Sequence, residues 1–148
     1  MELIKENIEK QRAVYRKDKD TIRKIWYNTP FEWMEEHRAM LDIVNPDYVK
    51  DIGWNKDHVW MDMKLIPGTP ASQFPHTKEF VKRIRNYVNE QYNSTKPYAH
   101  GDWVLSNIII IDNELHMIDW DNLGKHPNFF VKRKMKRDLK SAFGELYE

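Results

Sequence analysis

The sequence predicts an α+β fold of two lobes, a small antiparallel-sheet lobe followed by a short helical one. Three observations lead there. The first half reads as strands, one helix and more strands. A Pro-Gly break at Ile66-Pro67-Gly68-Thr69-Pro70 then interrupts the pattern. After the break come one long helical period, one very apolar hairpin and one basic helix, and this mixed order suits an α+β layer architecture.

The elements follow in order. Ala13 to Arg16 and Thr21 to Trp26 flank the polar turn Lys17-Asp18-Lys19-Asp20 and predict a hairpin. A helix over 30–44 follows, with Thr29 as cap, Pro30 in the first position and Glu32 completing a capping box. Trp33, Met40 and Val44 form its apolar stripe, and Asn45-Pro46 ends it. Tyr48 to Trp54 and His58 to Met63 predict a second strand pair around Asn55-Lys56-Asp57. A helix over 78–92 turns Phe80, Val81, Ile84, Tyr87, Val88 and Gln91 inward. Asn107 to Ile111 and Leu115 to Asp119 pair across Asp112-Asn113, and a helix over 131–146 closes the chain.

Composition narrows the function classes. The 148 residues fit one domain with one core. At 41% hydrophobic and 13% aromatic, the chain is too apolar to be disordered, although 32% of it is charged. A net charge of +1 does not describe a nucleic-acid binder. Without cysteine there is no disulfide, thiolate metal site or thiol catalysis. MELIKENIEK has no signal-peptide core, and the longest aliphatic run, Ile108 to Ile111, is far short of the ~20 residues of a membrane helix. A cytoplasmic protein without a membrane partner is the expectation, which makes the sequon Asn93-Ser94-Thr95 a chance match.

The chemistry concentrates in His100 to Asp121, HGDWVLSNIIIIDNELHMIDWD. A hairpin brings the start of its first strand beside the end of its second. Asn107 and Asp119 should therefore be neighbours, with Asp102 close by. Oxygen ligands grouped this way suit magnesium, which takes one or two carboxylates and completes its shell with water and phosphate. HGDWVLSN resembles the H-G-D-x-x-x-x-N catalytic loop of the aminoglycoside phosphotransferase and choline kinase families, whose fold is protein-kinase-like. MIDWD resembles their I-D-x-D metal segment. The likeness spans roughly residues 98–124. It implies ATP and Mg2+ as cofactors, Asp102 as the base for a substrate hydroxyl, Asn107 and Asp119 as magnesium ligands, and His100 as a structural brace. Gly101 stands where protein kinases have arginine, which implies a small hydroxyl-bearing acceptor.

The same resemblance asks for a phosphate-binding lysine on a strand and a glutamate on the next helix. On strand 21–26, Ile22, Lys24 and Trp26 share one face and Thr21, Arg23 and Ile25 the other. Lys24 is the candidate, with Arg23 its competitor. Glu36 lies three residues after Trp33 and four before Met40, at the apolar stripe, and is the candidate partner. Met63 to Gly68 resembles the connector between lobes, where backbone groups near Lys64 and Leu65 would hold adenine. One kinase-like domain over 1–148 follows, with an N-lobe of about 1–66, a connector of about 64–70 and a C-lobe of about 70–148.

Two departures qualify this. No glycine precedes Lys24, so the turn around Lys10 to Arg12 would meet phosphate with side chains or not at all. The chain is also short after Asp121. The acceptor site would be shallow, shared with a partner protein, or completed by a second copy. The basic residues Lys132, Arg133, Lys134, Lys136, Arg137 and Lys140 read as a solvated face, because Val131, Met135, Ala142 and Leu146 give that helix a core stripe. A nucleotide-binding pseudoenzyme is the main alternative to an active phosphotransferase. A metal-dependent hydrolase built on His100, Asp102, His116, Asp119 and Asp121 conflicts with strand parity, which turns His116 and Asp119 to opposite faces. Protein kinase activity is weaker still, since no substrate-docking segment is visible.

Overall fold

The computed structural model describes residues 1–148 and divides into two compact units, Met1–Leu65 and Ile66–Glu148. The first unit is a five-stranded antiparallel sheet and one helix. Strands β1 (Glu2–Asn7), β2 (Arg12–Asp18), β3 (Thr21–Tyr27), β4 (Val49–Trp54) and β5 (His58–Lys64) lie in the order β1-β2-β3-β5-β4, and helix α1 (Phe31–Val44) connects β3 to β4. Side chains make the turns. The carboxylate of Asp18 accepts the N–H of Asp20 at 2.9 Å, and Asn55 Oδ1 accepts those of Asp57 and His58 at 2.9 and 3.2 Å. β1 carries no alternation because it is an edge strand exposed on both faces, with a bulge between Leu3 and Lys5.

Helix α1 corrects the sequence reading in two ways. Its inward residues are Met34, His37 and Leu41, one position on from the expected Trp33–Met40–Val44 stripe. The large Trp33 ring lies beside the helix instead, stacked on His37 at 4.8 Å and tilted against Trp26 at 5.6 Å. The expected capping box does not form either. Pro30 is the N-cap, and Thr29 turns its hydroxyl back to the Tyr27 carbonyl at 3.0 Å.

Alternation on β3 and β5 sorts the charges of the sheet. Lys24 opposes Met61 and Arg23 opposes Asp62. Asp62 is 2% exposed and would be costly as an unpaired charge. Arg23 grips it with two hydrogen bonds, Nε at 2.7 Å and a terminal nitrogen at 3.0 Å, and Lys17 adds a third at 2.8 Å. The Arg23 guanidinium also lies 3.9 Å from the Trp60 ring centroid. Burial alone would raise the Asp62 carboxyl, but the hydrogen bonds and charges of Arg23 and Lys17 outweigh it and hold the group below the ordinary carboxylate range.

The second unit holds the strands β6 (Thr69–Pro70), β8 (Ile108–Ile111) and β9 (Glu114–Met117) in one sheet and β7 (Tyr98–Ala99) with β10 (Gly124–Lys125) in another. Helix α2 (Lys78–Thr95) begins where Thr77 Oγ1 accepts the Phe80 N–H at 3.1 Å, and it buries Val81, Ile84, Val88 and Tyr92. Helix α3 (Asn128–Phe143) buries Val131, Met135, Leu139 and Phe143. Ala142 and Leu146 are exposed, contrary to the sequence reading. The helix stops at Phe143, and Gly144 leaves it with a φ of 58°.

Asp62→Ala should cost about 3–5 kcal/mol, since it strands Arg23 and removes the centre of a buried charge cluster. Chemical denaturation measures that loss. The depressed Asp62 carboxyl stabilises the fold at pH values above its unfolded-state pKa of about 4, and this contribution is lost as pH falls below that value. Acid should therefore unfold the wild type more steeply than Asp62→Asn.

Candidate functional site

The site is assembled by the β8–β9 hairpin. Asp112 and Asn113 both have positive φ, 48° and 66°, which closes a two-residue turn of the primed kind and fixes the register of Ile108 against Met117. The pairing extends one step further, because the Asn107 carbonyl accepts the Ile118 N–H at 2.8 Å. Asp119 follows at once with a φ of 59°, so the chain turns out of the strand there. Asn107 and Asp119 thus emerge at the same end of one hairpin.

The preceding loop is held against that end. His100 is 2% exposed, and its Nε2–H donates to the Ile118 carbonyl at 2.8 Å. That bond makes Nδ1 the acceptor, and it takes the Asp102 N–H at 3.2 Å. Burial lowers the His100 pKa against the pull of Asp119, Asp102 and Asp121, so the ring stays neutral and braces the loop. Gly101 has a φ of 90°, and a Cβ there would lie 2.5 Å from the Asn122 carbonyl oxygen. Only glycine lets the loop approach this closely. Asn107 is buried, and its Nδ2 donates to both the carbonyl and the Oδ2 of Asp102, each at 3.2 Å. The half-buried Asp102 carboxylate is thereby oriented by the residue at the base of the hairpin.

Sequence reasoning missed one member of this arrangement. Asp138, on α3, accepts the Trp103 N–H at 3.1 Å while Lys134 donates to the same oxygen at 2.8 Å. Thirty-five residues separate the two partners. The only local signal was an acidic residue in an otherwise basic helix.

No group of three or more His, Cys, Asp or Glu side chains is placed to hold a metal ion. Asn107 and Asp119 carry oxygen donors of the kind magnesium takes beside phosphate and water. The hydrolase alternative loses support here. Both His100 ring nitrogens are used by the backbone, and His116 Nε2 lies 3.6 Å from the Glu114 carboxylate.

In the first unit, Lys24 stands between Val14 and Met61, half-buried, with its ammonium 5.4 Å from the Trp26 ring centroid. Glu36 is exposed, because the helix turns His37 inward, so its expected place at the apolar stripe is corrected. The Lys64 N–H donates to the Tyr48 carbonyl and the Leu65 N–H to the Asp20 carbonyl, each at 3.0 Å. Both N–H groups are thus satisfied within the first unit. The β1–β2 turn is also closed on itself. Lys10 N–H donates to Asn7 Oδ1 at 3.0 Å, and Gln11 N–H donates to the Ile8 carbonyl at 3.1 Å.

Removing the Asp138 carboxylate should free the Trp103 amide. A charge-assisted hydrogen bond contributes about 1.5–3 kcal/mol, so Asp138→Ala should lower hydrogen-exchange protection at Trp103 by about tenfold or more. Amides in β4 and β5 should keep theirs.

Comparison with protein-family models and with curated protein sequences finds no match. Solved structures do match. The chain is similar to monomeric WbdD, at 14% identity over 90% of this chain and 37% of that one, with a TM-score of 0.58. A second WbdD structure aligns at 13% identity over 93% of this chain and 36% of that one, with a TM-score of 0.61. A third, described as the bifunctional kinase-methyltransferase WbdD, aligns at 15% identity over 88% and 34%, with a TM-score of 0.57. This chain spans about a third of the length of those proteins. With its small antiparallel sheet and few helices, it has a reduced protein-kinase-like fold.

Proposed function

We propose that the chain is an ATP- and magnesium-dependent phosphotransferase acting on a hydroxyl of a small molecule. The observation that supports this reading is the Asn107 side chain, which ties the Asp102 carboxylate to the foot of the β8–β9 hairpin. In this reading Asp102 is the base, and Asn107 and Asp119, at the foot of the hairpin, are the oxygen donors for a cation. The likeness to a kinase-containing protein agrees with it.

In this mechanism Asp102 hydrogen-bonds the acceptor hydroxyl and aligns its oxygen with the γ-phosphorus. A new O–P bond forms as the bond to the ADP oxygen breaks, and Asp102 takes the hydroxyl proton. Asn107 and Asp119 would hold magnesium, which supplies charge neutralisation at the phosphates. Within the first unit, Lys24 is the candidate phosphate-binding cation. Glu36, the candidate partner of Lys24, is exposed on α1.

One observation favours a nucleotide-binding module without transfer. The closed β1–β2 turn has no glycine and uses the N–H groups of Lys10 and Gln11 internally, so neither donor reaches phosphate.

Paired measurements separate the two readings. Asp102→Asn should leave magnesium–ATP affinity and melting nearly unchanged while ADP release with an acceptor falls at least about a hundredfold. Wild type that binds ATP and transfers to no acceptor favours the binding module. An Asn variant as fast as wild type removes Asp102 as the base. Lys24→Ala should weaken ATP binding or turnover, whereas Arg23→Ala should mainly lower stability, because Arg23 is committed to Asp62.

A further inference from the structure

Helix α3 carries more cations than its own contacts use. Its basic residues are Lys132, Arg133, Lys134, Lys136, Arg137 and Lys140, against a single acidic residue, Asp138. Some of the cations have partners within the second unit. Lys132 donates to Asn89 Oδ1 at 2.9 Å, Lys134 donates to Asp138 at 2.8 Å, and Lys140 lies 3.0 Å from the Glu148 carboxylate. Arg133 and Arg137 are exposed and belong to none of these pairs. They stand at i and i+4, so they are neighbours on the helix surface, where like charges repel. Asp138 does not relieve them, because its carboxylate is committed to Lys134 and to the Trp103 N–H. Two adjacent arginines suit the oxygens of a phosphate or carboxylate, which the planar guanidinium takes two at a time.

The arginine pair stands beside the proposed base. Asp138 directly follows Arg137, and its carboxylate accepts the Trp103 N–H at 3.1 Å. Trp103 directly follows Asp102. By chain geometry the α-carbons of Asp102 and Asp138 are therefore within about 9 Å of each other. All of these residues belong to the second unit. Going round the helix away from Asp138, the cations met in turn are Lys134, Arg137 and Arg133, so positive charge leads from the loop contact out to solvent.

We propose that the acceptor of the transfer reaction carries a phosphate or carboxylate group, which Arg133 and Arg137 hold while its hydroxyl meets Asp102. The inference names the substrate class of the proposed function and rests on that reading. An oxyanion held there offsets the repulsion between the two arginines and fixes the acceptor at a second point, which is what orients a hydroxyl for in-line attack. The charge preference is opposite to that of the cationic acceptors, aminoglycosides and choline, that the sequence resemblance brings to mind.

The test has two arms. In the first, ADP release with magnesium–ATP is compared for acceptors that differ in charge: glycerol against glycerol 3-phosphate, glycerol against glycerate, and choline as the cationic control. An anionic member should exceed glycerol about tenfold or more in kcat/KM, as expected of charge-assisted hydrogen bonds. Arg137→Gln should raise its KM about tenfold with kcat and ATP affinity nearly unchanged, whereas Lys82→Gln, which removes the same charge from exposed α2, should change neither. Equal rates within both pairs, or a preference for choline, overturn the proposal. In the second arm, NMR follows the arginine Nε–H groups without nucleotide. Glycerol 3-phosphate or glycerate should shift the Arg133 and Arg137 signals saturably, and the stronger of the two tells phosphate from carboxylate. Shifts that sodium chloride reproduces at equal ionic strength overturn the proposal. A wild type that releases no ADP with any acceptor defeats the functional reading, and the NMR arm still decides whether the arginine pair is an oxyanion site.

Discussion

The side-chain amide of Asn107 connects the groups on which the proposed chemistry depends. Its Nδ2 holds the backbone and the carboxylate of Asp102, and the backbone carbonyl of the same residue extends the β8–β9 ladder to Ile118. The amide is buried, so a lost partner would cost the full desolvation penalty of a polar group. Around it, His100 ties the same two segments together a second time, from the Asp102 N–H to the Ile118 carbonyl. Gly101 allows the approach, and Asp138 fastens the loop from α3. The loop from His100 to Asn107 and the strand end at Ile118 are thereby cross-linked through side-chain hydrogen bonds. This is the kind of preorganisation that phosphoryl transfer needs, where positioning and electrostatics supply most of the catalysis.

The first unit is governed by strand parity. The alternation along β3 gives Arg23 to the buried Asp62 and leaves Lys24 on the face shared with Trp26. A shift of one residue would exchange these roles and bury an unpaired carboxylate. The Arg23–Asp62–Lys17 cluster thus fixes more than stability, because it also fixes which basic residue faces α1.

Much of this was legible in the sequence where local rules apply. The α+β fold follows from the order of elements and from the Pro-Gly break. The neighbourhood of Asn107 and Asp119 follows from hairpin geometry alone, and the two faces of β3 follow from period two. Helix faces were read less well. On α1, Trp33 looked like a core residue by its apolarity, but a ring that large packs beside the helix and passes the central positions to Met34, His37 and Leu41. Glu36 was misplaced for that reason. On α3, the left-handed Gly144 ends the helix and removes Leu146 from the stripe. Edge strand β1 has no buried face, so it leaves no periodic trace. Asp138 could not be read at all, since its partner lies thirty-five residues away and no local pattern links them.

The central claim is that Asn107 and Asp119 together hold the metal of a bound nucleotide. Manganese substituted for magnesium tests it directly, because its unpaired electrons broaden NMR signals only nearby. Addition of manganese–ATP should erase the Asn107 side-chain amide and the Asp119 resonances first, with His116 and Glu114 remaining sharp. Sharp Asn107 and Asp119 signals at saturating manganese–ATP, or broadening centred elsewhere, would contradict the account.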